Sequence, residues 1–326
     1  MPGHFYPGLI FCLWGSWWAY NTAAYYLWAS PRRPFKGRAW FPLAGRWARL
    51  AEPILKLLVP AVAISFELFL DHNMEWQFLY CPKGTKYEGR FAMTHMNNWQ
   101  HTASYPGVVL SGLVDLLALV VPLPSGTGQA VLGVGWSCMA FIMVLHEKHE
   151  PQDKMVHWLL FVNMALVAIM LFVDLAVRQR NVLVGMGKSL AVIFQGAWLI
   201  QIAAVEFEHH PQWSTEYPGG AMMAPVAFTS ILLAALAAML LFYCLMYLGK
   251  QHGLLTPARL GLPLDDKGDQ QGYVKPGEML PSPGLDSARH SDGDDDSDVL
   301  LLEAGGRMAP FQIMHPRGAA KDTSYA

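Results

Sequence analysis

Charged residues are scarce in this sequence: 15% of its 326 residues are Asp, Glu, Lys or Arg, whereas 53% are hydrophobic. A soluble domain needs about 25% charged residues to keep its surface wet, so the composition excludes an ordinary soluble fold and indicates a polytopic membrane protein. The net charge of −2 provides no basic surface for nucleic acid. The partner that the composition predicts is the lipid bilayer itself.

Cysteine pairs and catalytic motifs are also missing. The four cysteines are scattered and include no Cys-x-x-Cys pair, which disfavours a disulfide framework or a zinc-cysteine site. The sequence contains no HExxH helix, no Ser-His-Asp spacing and no glycine-rich phosphate loop after a strand. No reaction class follows from these motifs, and our leading interpretation is a non-enzymatic protein.

Long apolar runs, in contrast, are abundant, and seven of them reach about 20 residues, the length that crosses a bilayer as a helix. We therefore predict an all-α fold, with a seven-helix membrane domain over residues 1–249. Residues 250–326 are rich in Gly, Pro, Ser and Asp, which predicts a disordered, acidic cytosolic tail. The predicted spans are 7–28, 51–70, 101–121, 128–146, 156–177, 182–205 and 222–248.

One short pattern in the predicted tail suggests a protein partner. Asp296, Leu300 and Leu301 lie in and just after the acidic run SDGDDDSD. Their spacing resembles an acidic dileucine signal, which sorting adaptors bind. Patterns this short also arise by chance, so both interpretations stay open.

Basic residues in the loops predict the orientation of the helices. Two connections, the first and the fifth, are basic and therefore belong on the cytosolic side. With seven spans, the N-terminus is exoplasmic and the C-terminus cytosolic. Trp17 and Trp18 lie within the first predicted span, and we expect such amphipathic rings in the headgroup region. The basic residues are Arg32, Arg33, Lys36, Arg38, Arg46 and Arg49 in the first connection, and Arg178 and Arg180 in the fifth.

Histidines gather on the side that this orientation makes exoplasmic. A neutral imidazole binds zinc, iron or copper, and a nearby carboxylate completes the shell or orients the ring. The same side chains can instead sense lumenal acidity, because an unperturbed histidine titrates near a pH of about 6.5. The histidines at or near exoplasmic span ends are His4, His72, His95, His101, His146, His149, His157, His209 and His210.

We predict a site for a divalent transition metal at His101, His149, His157 and Glu67. His101 and His157 each begin an apolar span, where a polar residue usually faces the interior of the bundle. A hydrogen-bonded structural role stays open for both. His146, which is expected close to water, is equally explained by contact with water and headgroups.

Two further functions use related residues. A metal-dependent enzyme acting on lipid would have the same histidines as ligands and Glu67 or Asp71 as general base. A transporter would use charges in the opposite half of the bundle, namely Asp115, Asp174 and Lys188. Asp174 and Lys188 lie at similar predicted depth, so a buried ion pair between neighbouring helices is the simplest explanation for them.

The stretch Asn98–Leu117 connects these two sets of polar residues. On one continuous helix, His101, Tyr105, Gly112 and Asp115 share a narrow arc. His101 and Asp115 are separated by about 21 Å along the helix axis, because each residue rises about 1.5 Å. They therefore cannot bind one ion together, and the predicted helix links two separate polar layers.

The same stretch, NWQHTASYPGVVLSGLVDLL, resembles the middle motif of the transmembrane protein 45 family. Three further stretches are similar to that family: the opening GHFYPGLIFCLWGSWW, the hairpin with His149 and His157, and FQGAWLIQI from Phe194 to Ile202. The resemblance implies a seven-span protein of Golgi, endosomal or other endomembranes. It implies no established biochemical activity.

Overall fold

The computed structural model describes residues 2–31, 34–43, 50–69, 76–146, 148, 150–207, 213 and 218–257, all within the first of two units, Met1–Met279. Regular secondary structure in these residues is helical, apart from isolated bridge positions at Ser30 and between Tyr80 and Phe91. The predicted all-α fold is therefore confirmed for this part of the chain. The predicted sorting signal at Asp296, Leu300 and Leu301 lies outside the described residues.

Eight α-helices follow one another in the described residues, and a 3-10 turn, Met93–His95, precedes the third. The last helix, α8, is largely exposed. In its most apolar 18-residue stretch 11% is buried, so α8 presents a mostly apolar surface outward. The helices are α1 Pro2–Leu27, α2 Ala51–Phe69, α3 Met96–Ser104, α4 Pro106–Leu117, α5 Thr127–Val144, α6 Pro151–Ala176, α7 Val182–Phe207 and α8 Gly219–Gln251.

Four of these helices are long and apolar enough to cross a membrane, which identifies the chain as a membrane protein by length and composition. They are Thr127–Val144, Pro151–Ala176, Val182–Val205 and Gly219–Gln251. The first half of the chain is less uniformly apolar. α1 is rich in tryptophan and tyrosine, and α2 carries Glu52, Lys56 and Glu67.

The predicted continuous helix over Asn98–Leu117 is wrong, because the structure divides it at Tyr105 into α3 and α4. Pro106, the first residue of α4, has no N–H to donate, and its ring crowds the preceding turn. The arc that was expected to align His101 with Asp115 is therefore interrupted between them. The two residues still lie at opposite ends of the α3–α4 pair.

The core lies where α1, α5, α6 and α7 meet. Among its largest fully buried side chains are Trp18, Trp136 and Trp198. The expectation that Trp18 lies at the headgroups is wrong, since none of its surface is exposed. α1 lies close against α7 because Gly15 has no side chain: a Cβ there would lie 2.6 Å from the backbone nitrogen of Ile193.

Candidate functional site

Four histidine rings meet at one end of the helix bundle, and we name them the histidine cluster. His4 comes from α1, His101 from α3, His146 from the turn after α5 and His157 from α6. The ring centres of His101 and His146 lie 5.2 Å apart, and those of His146 and His157 lie 5.6 Å apart. His4 closes the circle, 5.5 Å from His157 and 6.4 Å from His101.

A carboxylate from α2 anchors the outermost ring of the histidine cluster. His101 Nδ1 lies 3.3 Å from Glu67 Oε1, and about a quarter of the His101 side chain is exposed, 26%. Asn98 holds Glu67 in turn, because its side-chain nitrogen donates to the Glu67 backbone carbonyl at 3.1 Å. Carboxylates that bind Nδ1 in this way fix the ring orientation and direct Nε2 towards the other side.

The two inner rings are anchored through Nδ1 as well. His157 Nδ1 lies 2.9 Å from the backbone oxygen of Asp153 and 2.8 Å from its Oδ1, one turn earlier on α6. His146 Nδ1 hydrogen-bonds Oε1 of Gln100 on α3. Both rings are buried, with 2% of His157 and 6% of His146 exposed. Their orientation is thus set by neighbouring backbone and side chains rather than by water.

His146 is held in its neutral form. Burial, together with nearby His101, Lys148 and His157, lowers the pKa of His146 from 6.5 to about 3. Because Nδ1 faces an amide oxygen it carries the proton, and Nε2 carries the lone pair. That Nε2 atom is buried and has no hydrogen-bond partner among the residues that the structure describes. The ring therefore offers an unused lone pair inside the cluster.

The structure brings only part of the predicted metal set together. His101, His157 and Glu67 lie in or beside the histidine cluster, whereas His149 lies outside the described residues. Of the two explanations left open for His146, contact with water does not hold, because 6% of the residue is exposed and its ring packs against those of His101 on α3 and His157 on α6. As placed, no group of three His, Cys, Asp or Glu side chains in the described part of the chain is arranged to hold a metal ion.

His4 joins the cluster although the sequence argument did not select it as a ligand. It lies near the start of α1, just as His101 and His157 lie near the starts of apolar predicted spans. That shared position is the signal that would have identified it. Of the two general bases predicted for an enzyme, Glu67 faces His101, and Asp71 lies outside the described residues.

A second set of buried polar side chains lies at the opposite ends of the same helices. The ion pair expected between Asp174 of α6 and Lys188 of α7 is present, with 2.7 Å between Lys188 Nζ and Asp174 Oδ2. At most 1% of either side chain is exposed. Lys188 also donates to the backbone carbonyl of Arg38 at 2.9 Å, so it holds the connection after α1 against α7.

Asp115 forms a separate ion pair that the sequence argument missed. Its Oδ2 lies 2.7 Å from Nζ of Lys56 on α2, and Lys56 donates to the backbone carbonyl of Ala39 at 3.0 Å. Asp115 was grouped with Lys188, but its salt-bridge partner is Lys56. The two lysines donate to consecutive carbonyls, so the segment 34–43 lies clamped between them.

Glu52 completes this layer through four donors. The indole N–H groups of Trp14, Trp17 and Trp18 donate to its carboxylate at 2.8, 3.1 and 2.7 Å. The backbone N–H of Phe41 donates at 2.8 Å. These donors replace the water that a buried carboxylate has lost, and they explain why Trp18, expected at the headgroups, lies inside. We name five charged side chains the lysine layer: Glu52, Lys56, Asp115, Asp174 and Lys188.

A cavity of about 430 Å³ opens beside the lysine layer, and Asp115 forms part of its wall. None of its lining residues belongs to the histidine cluster, so this cavity does not join the two polar sets. The charges predicted to carry a transported species are, moreover, paired with one another or with Lys56. Transport through Asp115, Asp174 and Lys188 stays a prediction.

The second half of the chain is similar to a known protein family. A family of unknown function, DUF716, which groups proteins like transmembrane protein 45, matches residues 125–244. The match begins at the start of α5 and ends within α8, so it includes His146, His157, Asp174 and Lys188. Over these helices the chain is thus similar to membrane proteins whose biochemical activity has not been assigned.

Proposed function

We propose that this chain is a seven-span endomembrane protein whose histidine cluster binds a divalent transition metal on the exoplasmic side. One observation carries the proposal: four imidazoles from four separate segments meet, two of them buried, and anchored Nδ1 atoms orient three of the rings. Packed cores rarely bring so many polar rings together without a ligand or water. The chain itself supplies the metal's protein ligands.

Helix lengths support seven spans. α2 has 19 residues, about 28 Å at roughly 1.5 Å per residue, and α1 has 26. α3 and α4 form one divided span, with 9 and 12 residues on either side of Tyr105. A hydrocarbon core is about 30 Å thick, so each of these can cross it. Burial of Lys56 against Asp115 removes the main obstacle to placing α2 in lipid.

Ring separations support a shared ligand. Metal–nitrogen bonds of about 2.0–2.1 Å place the centres of two coordinated imidazoles roughly 5 to 6 Å apart. Three of the four neighbouring pairs in the cluster, at 5.2, 5.5 and 5.6 Å, fall within that range. As placed, the nitrogens do not point at one common position. Binding therefore requires rings to turn about Cβ–Cγ, which keeps their centres in place but exchanges the present Nδ1 hydrogen bonds of the turned rings for bonds to the metal.

The protonation state of His146 favours a metal over a pH sensor. A sensor of lumenal acidity must change charge near pH 5 to 7, whereas the pKa of His146 is lowered to about 3. A metal ligand must be a neutral imidazole, and a ring without a proton on Nε2 has nothing to displace. The lowered pKa of this ring thus supports coordination.

The test is metal analysis of the full chain, purified in detergent without chelator, with zinc titrated into chelator-treated protein. We expect one metal ion per chain in the wild type, and saturable zinc binding that His146→Ala and His157→Ala each reduce at least about tenfold. His252→Ala is the matched control, because His252 is exposed and outside the cluster. A wild type without metal that also fails to bind zinc overturns the proposal, as do variants that bind zinc as the wild type does.

A further inference from the structure

The connection between α2 and α3 contains a hairpin, residues 79–92, which we name the aromatic hairpin. Its two arms meet at a bridge between Tyr80 and Phe91, whose rings stack with their centres 5.3 Å apart. The backbone N–H of Ala92 donates to the carbonyl of Leu79 at 3.0 Å, next to this bridge. More than half of each stacked ring residue is nevertheless exposed. The rings are therefore held in place by each other and by the backbone, and they face outward.

Large apolar side chains recur along the aromatic hairpin and directly beside it. All of them are exposed, so they add nothing to the core of the bundle. A surface that meets only water seldom gathers so many apolar side chains, and a patch of this kind marks contact with another surface. The exposed residues are Trp76, Phe78, Tyr80, Tyr87, Phe91 and Met93.

The chain that leads into the aromatic hairpin is tied to the end of α2. The backbone N–H of Gln77 donates to the carbonyl of Leu68 at 2.9 Å, and the indole N–H of Trp99 on α3 donates to the carbonyl of Gln77 at 3.1 Å. Trp76 lies against Phe69, with 4.3 Å between the ring centres, and Phe69 is half exposed. The apolar surface of the hairpin thus continues that of α2, which the proposed seven-span arrangement places in lipid. Trp and Tyr at such a helix end favour the headgroup region.

Basic side chains lie among these rings. The aromatic hairpin has three cations, Lys83, Lys86 and Arg90, and one acidic residue, Glu88, so its net charge is +2. All four side chains are exposed. Lys86 and Arg90 lie over the ring of Tyr87, 5.2 and 5.9 Å from its centre. The ion pairs among the described residues include none of these three cations, so their charge is available to an anionic surface.

We propose that the aromatic hairpin lies on the bilayer surface beside α2 and binds anionic lipid headgroups there. Its aromatic rings favour the interface of any bilayer, whereas its net positive charge makes the contact selective for anionic lipid. Each basic residue close to an anionic surface strengthens such a contact about fivefold. A soluble acidic partner would match the charge, but it would not match an apolar surface that continues along a lipid-facing helix. The proposal rests on α2 as a membrane span and not on the orientation of the chain.

The experiment is hydroxyl-radical footprinting of the full chain in nanodiscs, with oxidation measured by mass spectrometry. The radicals form in water and oxidise the side chains that water reaches, so contact with lipid protects a ring. One set of nanodiscs contains phosphatidylcholine alone, and the other contains about a third phosphatidylglycerol. We expect oxidation of Tyr80, Tyr87 and Phe91 to be at least about threefold lower with phosphatidylglycerol. High salt should remove this difference, because it screens exposed charges.

Two triple variants test whether the hairpin cations cause the protection. The hairpin variant combines Lys83→Gln, Lys86→Gln and Arg90→Gln, and its oxidation should no longer depend on phosphatidylglycerol. The control variant should keep the dependence of the wild type, because it loses the same number of exposed cations from other parts of the chain. It combines Lys154→Gln, Arg178→Gln and Arg180→Gln. Thermal unfolding of both variants shows whether they are folded.

Val62 and Phe66, two exposed apolar residues of α2, are the internal reference for the membrane span. If they are protected while the hairpin rings are oxidised to the same extent in both lipid mixtures, the hairpin proposal is overturned and the seven spans stand. If Val62 and Phe66 are oxidised as well, α2 lies outside the lipid and both proposals are overturned. Equal behaviour of the two triple variants also overturns the role of the hairpin cations. Zinc binding at the histidine cluster is measured separately.

Discussion

The histidine cluster and the lysine layer are both buried and polar, but they satisfy their polar groups in different ways. In the lysine layer, each carboxylate has a cation or several N–H donors: Asp115 and Asp174 each lie 2.7 Å from a lysine, and Glu52 accepts four hydrogen bonds, although Oδ1 of Asp174 has no hydrogen-bond partner in the described residues. In the histidine cluster, Nδ1 is anchored in His101, His146 and His157, whereas Nε2 of His146 has no partner in the described residues.

This difference separates a structural role from a binding role. Buried charges that are paired and hydrogen-bonded maintain the fold, and removing one partner leaves the other uncompensated. A neutral ring such as that of His146, which is oriented but incompletely bonded, keeps capacity for a ligand. We therefore expect substitutions in the lysine layer to change stability most, and substitutions in the histidine cluster to change metal binding and pH dependence most.

The largest effect is expected from Lys188→Met, which leaves Asp174 buried without its cation. We expect a loss of about 3–5 kcal/mol in the free energy of unfolding, because an isolated buried carboxylate is strongly unfavourable. The measurement is denaturant or thermal unfolding of the purified protein. The double variant with Asp174→Leu should recover most of the loss, since an apolar pair replaces the ion pair. A single variant as stable as the wild type contradicts a structural lysine layer.

A somewhat smaller effect is expected from Glu52→Gln. The amide retains one acceptor oxygen for three indoles and a backbone N–H, so we expect a loss of about 2–4 kcal/mol. Tryptophan fluorescence should change in the folded state as well, because the indole N–H groups lose a charged acceptor. Glu88→Gln, an exposed carboxylate that accepts one backbone hydrogen bond, is the control and should be nearly neutral. If Glu52→Gln and Glu88→Gln are equally stable, Glu52 has no special structural role and the contrast between the lysine layer and the histidine cluster fails.

The smallest effect over a single pH unit is the pH dependence contributed by His146. Its folded pKa is lowered to about 3 while its unfolded value is 6.5, so the unfolded state binds more protons between these values. Chelator-treated protein should therefore lose stability as pH falls below about 6.5, by at most about 1.4 kcal/mol per pH unit from this ring. The contribution is fully present above that pH and is gone near pH 3.

His146→Gln isolates this contribution, because Gln keeps a polar side chain but does not titrate. The difference in unfolding free energy between wild type and variant should shrink as pH falls from about 7 to 4. Nearby Asp153, Lys148 and the other rings of the cluster act on both proteins, so their titration largely cancels in the difference. A difference that stays constant with pH would falsify the lowered pKa.

Local pairs were predictable from the sequence, and distant ones were not. Asp174 and Lys188 lie 14 positions apart on consecutive antiparallel helices joined by a short turn, so similar depth was enough to predict their contact. Lys56 and Asp115 lie 59 positions apart, and only the packing of α2 against α4 brings them together. The same holds for His4, which reaches His157 because α1 lies beside the later helices.

Burial was the second feature that the sequence argument judged poorly. Residue type and position in or beside the predicted spans left water contact open for His146 and placed Trp18 in the headgroup region. In the structure, α3 and α6 cover His146, and Glu52 provides a buried acceptor for the indole of Trp18. Residue type reports what a side chain can bind, whereas neighbouring helices decide whether it is covered.

By itself, the sequence determined that the chain is helical and largely apolar, with polar residues at both ends of its helices. Composition and the length of apolar runs depend on nearby residues alone. The tertiary structure decided which polar residues meet. It divided Asn98–Leu117 at Tyr105, placed Lys56 beside Asp115, and brought together four histidines from four segments. Those contacts depend on helix packing across the chain, where close approach at glycines such as Gly15 sets which side chains face one another.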